Sequence, residues 1–206
     1  KARRAFSHLN WLFEDIISNS FIKSGIQYQT VDFENEKNRI STNFRNNGAY
    51  YFQPNYVTFN IDTIKKVNKA DITLIINNYS YQDGDSTKSE PFKLYKISDV
   101  NIYTDYSPSS NAIIIGDSTT FNNFNLFSQK KLKYKPKAIT DAIFISKGGY
   151  YADFKTVLTT RYLNNLKIFN YPSIQYEIDK RDTTAHSLIA KVYLTPRKKY
   201  SFGTTF

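Results

Sequence analysis

Apolar positions along the chain change period twice, and each change marks a change of element. Trp11, Leu12, Ile16, Ile17, Phe21 and Ile22 recur at helical spacing and stop at Gly25, which predicts a helix closed by a glycine cap. Phe33, Ile40 and Phe44 predict a second helix from Asp32, as N-cap, to Gly48, with Glu34 and Glu36 in its first turn. Beyond it the period becomes two. Val57, Phe59 and Ile61 alternate with polar residues, as do Ile72, Leu74 and Ile76, so two strands are expected with a hairpin loop at Lys65 to Lys69.

The same order returns further on. A strand signal runs from Leu94 to Tyr103, followed by helices at Ala138 to Ser146 and Phe154 to Leu166 with Gly148 and Gly149 between them. Two alternating strands follow, the first through Ile174, Tyr176 and Ile178, the second through Leu188, Ala190, Val192 and Leu194. Gly25-Ile-Gln-Tyr28 aligns with Gly148-Gly-Tyr-Tyr151, each ahead of a helix, a turn and two strands. The fold class expected is α+β, two tandem β-α-α-β-β modules, each a short mixed sheet with two helices on one face. The first module is set at 1–85, its first strand having room only in Lys1 to Asn10, and the second at 91–206. The stretch from Gln82 to Pro91 holds turn formers and no large apolar residue, and reads as the linker. Residues 106–131 are a Ser/Asn/Thr/Phe-rich insertion, longer than ordinary connections, and so either a functional or a flexible loop.

Composition narrows the chemistry. The 206 residues contain no cysteine, which removes disulfides, thiolate metal sites and a cysteine nucleophile. His8 and His186, the two histidines, stand apart from any ligand spacing. Gly116-Asp-Ser-Thr lacks the lysine of a phosphate loop and is expected to be a turn, and Asn78-Tyr-Ser80 is a glycosylation sequon too short to carry weight. No Gly-x-Ser-x-Gly elbow or closely spaced acid pair in a glycine-bounded turn argues for a nucleophile or a general acid, so no catalytic residue, cofactor or metal is expected. The longest apolar runs, such as Ala112 to Ile115, fall far short of the roughly 20 residues that span a bilayer.

Of the net charge of +10, residues 1–90 carry +1 and residues 91–206 carry +9. Such a bias suits nucleic acid or an anionic surface, or a lysine-rich solvated face. Lys131, Lys133, Lys135 and Lys137 fall two apart, on one side of an extended segment, and with Arg197, Lys198 and Lys199 are the candidate anionic-surface contacts.

Several of these pieces resemble the POTRA modules of the BamA/TamA superfamily of outer-membrane assembly factors, in particular the TamL-like branch. Glu36-Lys-Asn-Arg-Ile40, Phe44-Arg-Asn-Asn-Gly-Ala-Tyr-Tyr-Phe52 and Phe59-Asn-Ile-Asp-Thr63 look like that family's second helix, glycine-tyrosine turn and following strand, with Ala49 an added residue. Thr159-Thr-Arg-Tyr-Leu-Asn-Asn-Leu-Lys-Ile-Phe169 with Tyr171-Pro-Ser-Ile174 looks like the same passage in the module before the barrel, and Leu194 to Ser201 like the run into the first barrel strand. The resemblance implies a non-enzymatic arm on the periplasmic side of the outer membrane. Its implied partners are unfolded outer-membrane proteins, a transmembrane β-barrel of the same chain, a periplasmic partner subunit and the membrane surface, with no nucleic acid.

In such a module the first strand pairs with the last, which leaves the middle strand as an edge able to accept any extended chain through backbone bonds. The candidate edge residues are Asn55, Val57, Phe59 and Ile61 in one module and Ser173, Gln175, Glu177 and Asp179 in the other. A basic nucleic-acid-binding protein is the alternative function, and would need Lys/Arg and exposed aromatics converging on one sheet face.

Overall fold

A computed structural model describes residues 17–64, 68–109 and 113–197, in two compact units that divide between Leu94 and Tyr95. The fold class is mixed α+β. The helix expected over Trp11 to Ile22 and the first strand expected in Lys1 to Asn10 fall largely or wholly outside the described residues.

In the first unit, helix α1 spans Thr30–Asn46 and buries Glu36, Ile40, Ser41 and Phe44. Its N-cap is Gln29, three residues before the one expected, because Asp32 works from inside the first turn: its carboxylate accepts the Gln29 N–H at 2.7 Å. Burial pushes the Glu36 carboxyl up. Hydrogen bonds from Arg39 at 2.8 and 3.0 Å and from the Phe21 N–H at 3.1 Å outweigh it, and the group sits below its ordinary value. After Gly48 the chain turns sharply, and Arg45 donates to the Tyr50 carbonyl at 2.8 Å, tying the helix to that turn. Phe52 then stacks on Phe44 with ring centroids 4.3 Å apart, and Ala49 is buried in the same core. A one-turn 3-10 helix at Pro54–Tyr56 leads into β1 (Val57–Asp62), which pairs antiparallel with β2 (Asp71–Ile76).

The stretch read as a linker is instead a hairpin, β3 (Tyr79–Asp83) with β4 (Ser86–Glu90), and it belongs to the first unit. Gly84, at φ 63, makes the two-residue turn. The sequence conceals these strands because their contacts are made by two tyrosines amid polar residues: Tyr81 stacks on Tyr79 and Tyr79 on Tyr51.

The second unit is built on one five-stranded sheet, ordered β6-β7-β5-β9-β8, from β5 (Lys96–Tyr103), β6 (Asp117–Phe121), β7 (Phe124–Ser128), β8 (Phe169–Ile178) and β9 (Ser187–Pro196). β5 runs parallel to both β7 and β9, and β8 is antiparallel to β9. Helix α2 is shorter than expected, Pro136–Thr140, and α3 spans Asp153–Asn165 and packs on β8. One face of the sheet, through Ile97, Val100, Ile102, Leu126, Leu188, Ala190, Val192 and Leu194, is wholly closed to water, together with Ile139, Ile145 and Leu163 from the helical region. Gly148 has φ 81 and its N–H donates to the Ile97 carbonyl at 2.7 Å, which locks the inter-helix turn to β5. Gly25, at φ 79, precedes α1 by the same five residues that separate Gly148 from α3.

The insertion at 106–131 is no featureless loop. Asn122 and Asn123, at φ 47 and 66, turn β6 into β7, and β7 extends the sheet beyond β5. Gly116-Asp-Ser-Thr is accordingly the start of β6, not a free turn.

Phe52 in the first unit and Phe169 in the second each follow a helix and are both fully buried. Phe52→Ala or Phe169→Ala is expected to cost about 3–5 kcal/mol, read as a lowered denaturant midpoint, with each change confined to its own unit's transition.

Candidate functional site

The feature that stands out for binding is the free side of β8. Which residues offer backbone groups there follows from the ladder. The Asp179 N–H donates to the Ser187 carbonyl at 2.9 Å, so that pair exchanges hydrogen bonds, and alternation makes Glu177/Ile189, Gln175/Lys191 and Ser173/Tyr193 the next such pairs. Ile174 and Ile178, and Tyr176 between them, therefore turn their N–H and C=O groups away from β9. This corrects the residues chosen from the sequence. Ser173, Gln175 and Glu177 lie on the edge strand but spend their backbone groups inward. Asp179 lies just beyond the strand, its carboxylate paired with Arg181 at 2.7 Å.

A bulge shapes the near end of β8. Register slips by one residue between Asn170 and Ser173, Tyr171 is held at φ 42, and its side chain is 94% exposed. Arg197 closes this end, its N–H donating to the Ile168 carbonyl at 2.9 Å and its Nε to that of Phe169 at 3.0 Å.

On β1 the parity is reversed. The Asn77 N–H donates to the Tyr56 carbonyl at 2.9 Å, so Val57, Phe59 and Ile61 face away from β2. The Val57 N–H returns to Pro54, and Asn55 sits in the 3-10 turn ahead of the strand. Among the described residues β1 pairs with β2 alone.

Lys131, Lys133, Lys135 and Lys137 are all exposed and alternate with half-buried Leu132, Tyr134 and Pro136. Tyr134 explains the spacing, for its ring meets that of Phe169 edge-on at 5.0 Å. Lys137 pairs with Asp141 at 2.7 Å. Lys198 and Lys199 fall outside the described residues, and so does His8. The His186 ring stands edge-on to Tyr95 at 6.4 Å.

The sheet face opposite the core carries Phe127, Tyr103 and Tyr193 in one row, stacked at 5.4 and 5.1 Å. Beside them Asn125 donates to Asn101 at 2.9 Å, and Lys191 pairs with Glu177. The rings stack on one another across strands instead of presenting separate faces, and the lysine of this face is engaged by an acid. Sequence reasoning missed Tyr171 and Ile113–Ile115 as exposed groups, since an apolar residue at a strand bulge or in a loop announces neither burial nor exposure.

No known family model matches the sequence, and no curated protein matches it. Among solved structures the chain is similar to BamA from Haemophilus ducreyi lacking POTRA domains 1–3, with TM-score 0.57 and 8% identity over 96% of this chain. It spans 28% of that BamA chain. BamA POTRA3–5 from Haemophilus influenzae is also similar, with TM-score 0.48 and 9% identity over 91% of this chain and 56% of that one. The first of these shows a shared fold.

The loop between β8 and β9 carries a compact charge network. Asp179 lies well below the usual carboxylate range because Arg181 and Ser98 hydrogen-bond it, and Asp182 does so through Ser187 and Thr184. At Asp99 burial pushes upward, but hydrogen bonds from Arg181 and Lys147 prevail. Depressed carboxylates contribute stability that is fully present above the unfolded value of about 3.9 and is lost as pH falls through the folded values. Thermal melts are expected to show the second unit losing stability as pH falls below about 4, and Arg181→Ala, which removes a partner of both Asp99 and Asp179, to make that dependence shallower.

Proposed function

We propose that this chain is the periplasmic arm of a TamL-like outer-membrane protein assembly factor. On this reading it receives unfolded outer-membrane polypeptides by strand addition and passes them without catalysis toward a transmembrane β-barrel of the same protein, beside the membrane and a periplasmic partner subunit. The shared fold with a BamA structure supports the setting. The observation that carries the mode of binding is the terminal place of β8 in its sheet, with the backbone groups of Ile174 and Ile178 turned outward.

Backbone pairing ignores side-chain identity, which suits a factor that accepts many sequences. Residues of an added strand would alternate between two environments. One side faces α3, where Phe154 and Val157 are exposed, and the other joins the polar face of Gln175 and Glu177. A strand with one apolar and one polar side, as membrane barrels are built from, fits that division. The free side of β1, through Phe59 and Ile61, offers a second place of the same kind in the first unit.

Amide hydrogen exchange tests this without a substitution. In the free protein Gln175 and Glu177 should be protected and Ile174 and Ile178 should exchange quickly. An extended amphipathic peptide should slow Ile174 and Ile178 and leave the other two unchanged. Affinity should hardly move as salt shortens the screening length from about 10 Å at 0.1 M to about 3 Å at 1 M. Peptide binding with no new protection at Ile174 and Ile178 would remove strand addition at β8.

A further inference from the structure

All five strands of the second unit meet at one end of the sheet. β5, β7 and β9 run parallel and finish there at Tyr103, Ser128 and Pro196, and β6 and β8, antiparallel to their neighbours, begin there at Asp117 and Phe169. The rim at this end has an unusual chemistry. Tyr106–Ser109 and Ile113–Ile115 carry no charge, and Ile113, Ile114 and Ile115 are 42, 63 and 53% exposed.

Lysines are fixed beside them. The Gly116 N–H donates to the Ser128 carbonyl at 2.8 Å, and the chain passes so close to Gln129 that a Cβ on Gly116 would come within 2.3 Å of its carbonyl oxygen. The Asp117 carboxylate accepts the Leu132 N–H at 2.9 Å. These bonds hold the isoleucines next to Lys130, Lys131 and Lys133, which are exposed and have no ion-pair partner among the described residues. Further along the same rim stands Tyr171, raised on its bulge and almost wholly in solvent.

Exposed aliphatic groups, an exposed tyrosine and unpaired lysines along one rim match the layers of a bilayer surface. Apolar side chains enter the acyl boundary, tyrosine suits the headgroup level and lysine attracts acidic headgroups. A nucleic acid would engage the lysines and leave the three isoleucines in water. We infer that this rim docks the second unit on an anionic bilayer, with Ile113–Ile115 inserted at the headgroup boundary, Lys130, Lys131 and Lys133 against acidic lipid, and Tyr171 at the headgroup level at the far end of the rim. The inference takes from the proposed function only that the unit works beside a membrane.

The whole chain is mixed with vesicles of phosphatidylcholine, or of phosphatidylcholine and phosphatidylglycerol in equal parts, and sedimented. Binding is expected only to the mixed vesicles. Each of Lys130→Gln, Lys131→Gln and Lys133→Gln should lower it roughly fivefold, the equivalent of about 1 kcal/mol per lysine at an anionic surface. Serine at all three isoleucine positions, all exposed, should leave the unfolding midpoint in place and abolish the binding that persists at about 1 M salt, where screening length is about 3 Å. Because the chain has no cysteine, Ile114→Cys accepts a single polarity-sensitive dye, whose emission should shift to the blue on the mixed vesicles. Equal binding to both vesicles, an unshifted dye, or a serine variant that binds like the parent would each overturn the inference. Exchange at Ile174 and Ile178 is read with soluble peptide and no vesicles, so failure of either test leaves the other intact.

Discussion

The central place of β9 governs the second unit. It is paired on both sides, parallel to β5 and antiparallel to β8, and Leu188, Ala190, Val192 and Leu194 along its inner face are fully closed to water. A strand in that position cannot slip by one residue without turning four buried side chains into solvent, so it fixes the register of both neighbours. The parity of β8 follows from that register. Once Asp179 is bonded to Ser187, the outward backbone groups must belong to even-numbered residues from Ile174 to Ile178.

This explains how far the binding edge could be read from residues alone. Alternation in 174–178 and 188–194 identifies two strands, and the β-α-α-β-β order predicts which lies outside. It cannot say which residues on the outer strand point their N–H groups away, because parity depends on where the ladder starts and that is set by the Asp179 to Ser187 turn. On β1 the same choice of alternate residues happens to carry the outward groups, through Phe59 and Ile61, for the same reason. The two hairpins were hidden differently. β3, β4 and β6 are short and polar, and their turns use Gly84-Asp85 and Asn122-Asn123, where composition suggests a linker or a loose loop. Their partners are tyrosines or the neighbouring strand, not a stripe of aliphatic residues.

Charge is distributed with the same economy of position. Acidic groups near the β8–β9 turn are satisfied by Arg181 and Lys147, and on the open face Lys191 is matched by Glu177. Balanced pairs of this kind orient loops more than they raise affinity for anything outside, since exposed ion pairs are typically worth about 0–1 kcal/mol. The excess positive charge of residues 91–206 is thereby left to lysines such as Lys130 to Lys135, which follow β7 along the rim.

The hairpin β6–β7 links these features mechanically. By adding β7 parallel to β5 it covers what would have been a second free side of the three strands β5, β9 and β8, and so leaves β8 as the long open edge. A parallel addition has a topological consequence: β5 ends and β6 begins at the same rim, with β7 ending between them. Thr104–Ser109 and Ile113–Gly116 therefore lie on that rim, and the chain passes close enough to Gln129 at position 116 to demand a glycine. Residues on such a rim have little sheet or helix to pack against, which is why Ile113 to Ile115 remain in solvent. One insertion thus does two things at once, closing one side of the sheet and placing an apolar segment on the end of the sheet where β9 finishes.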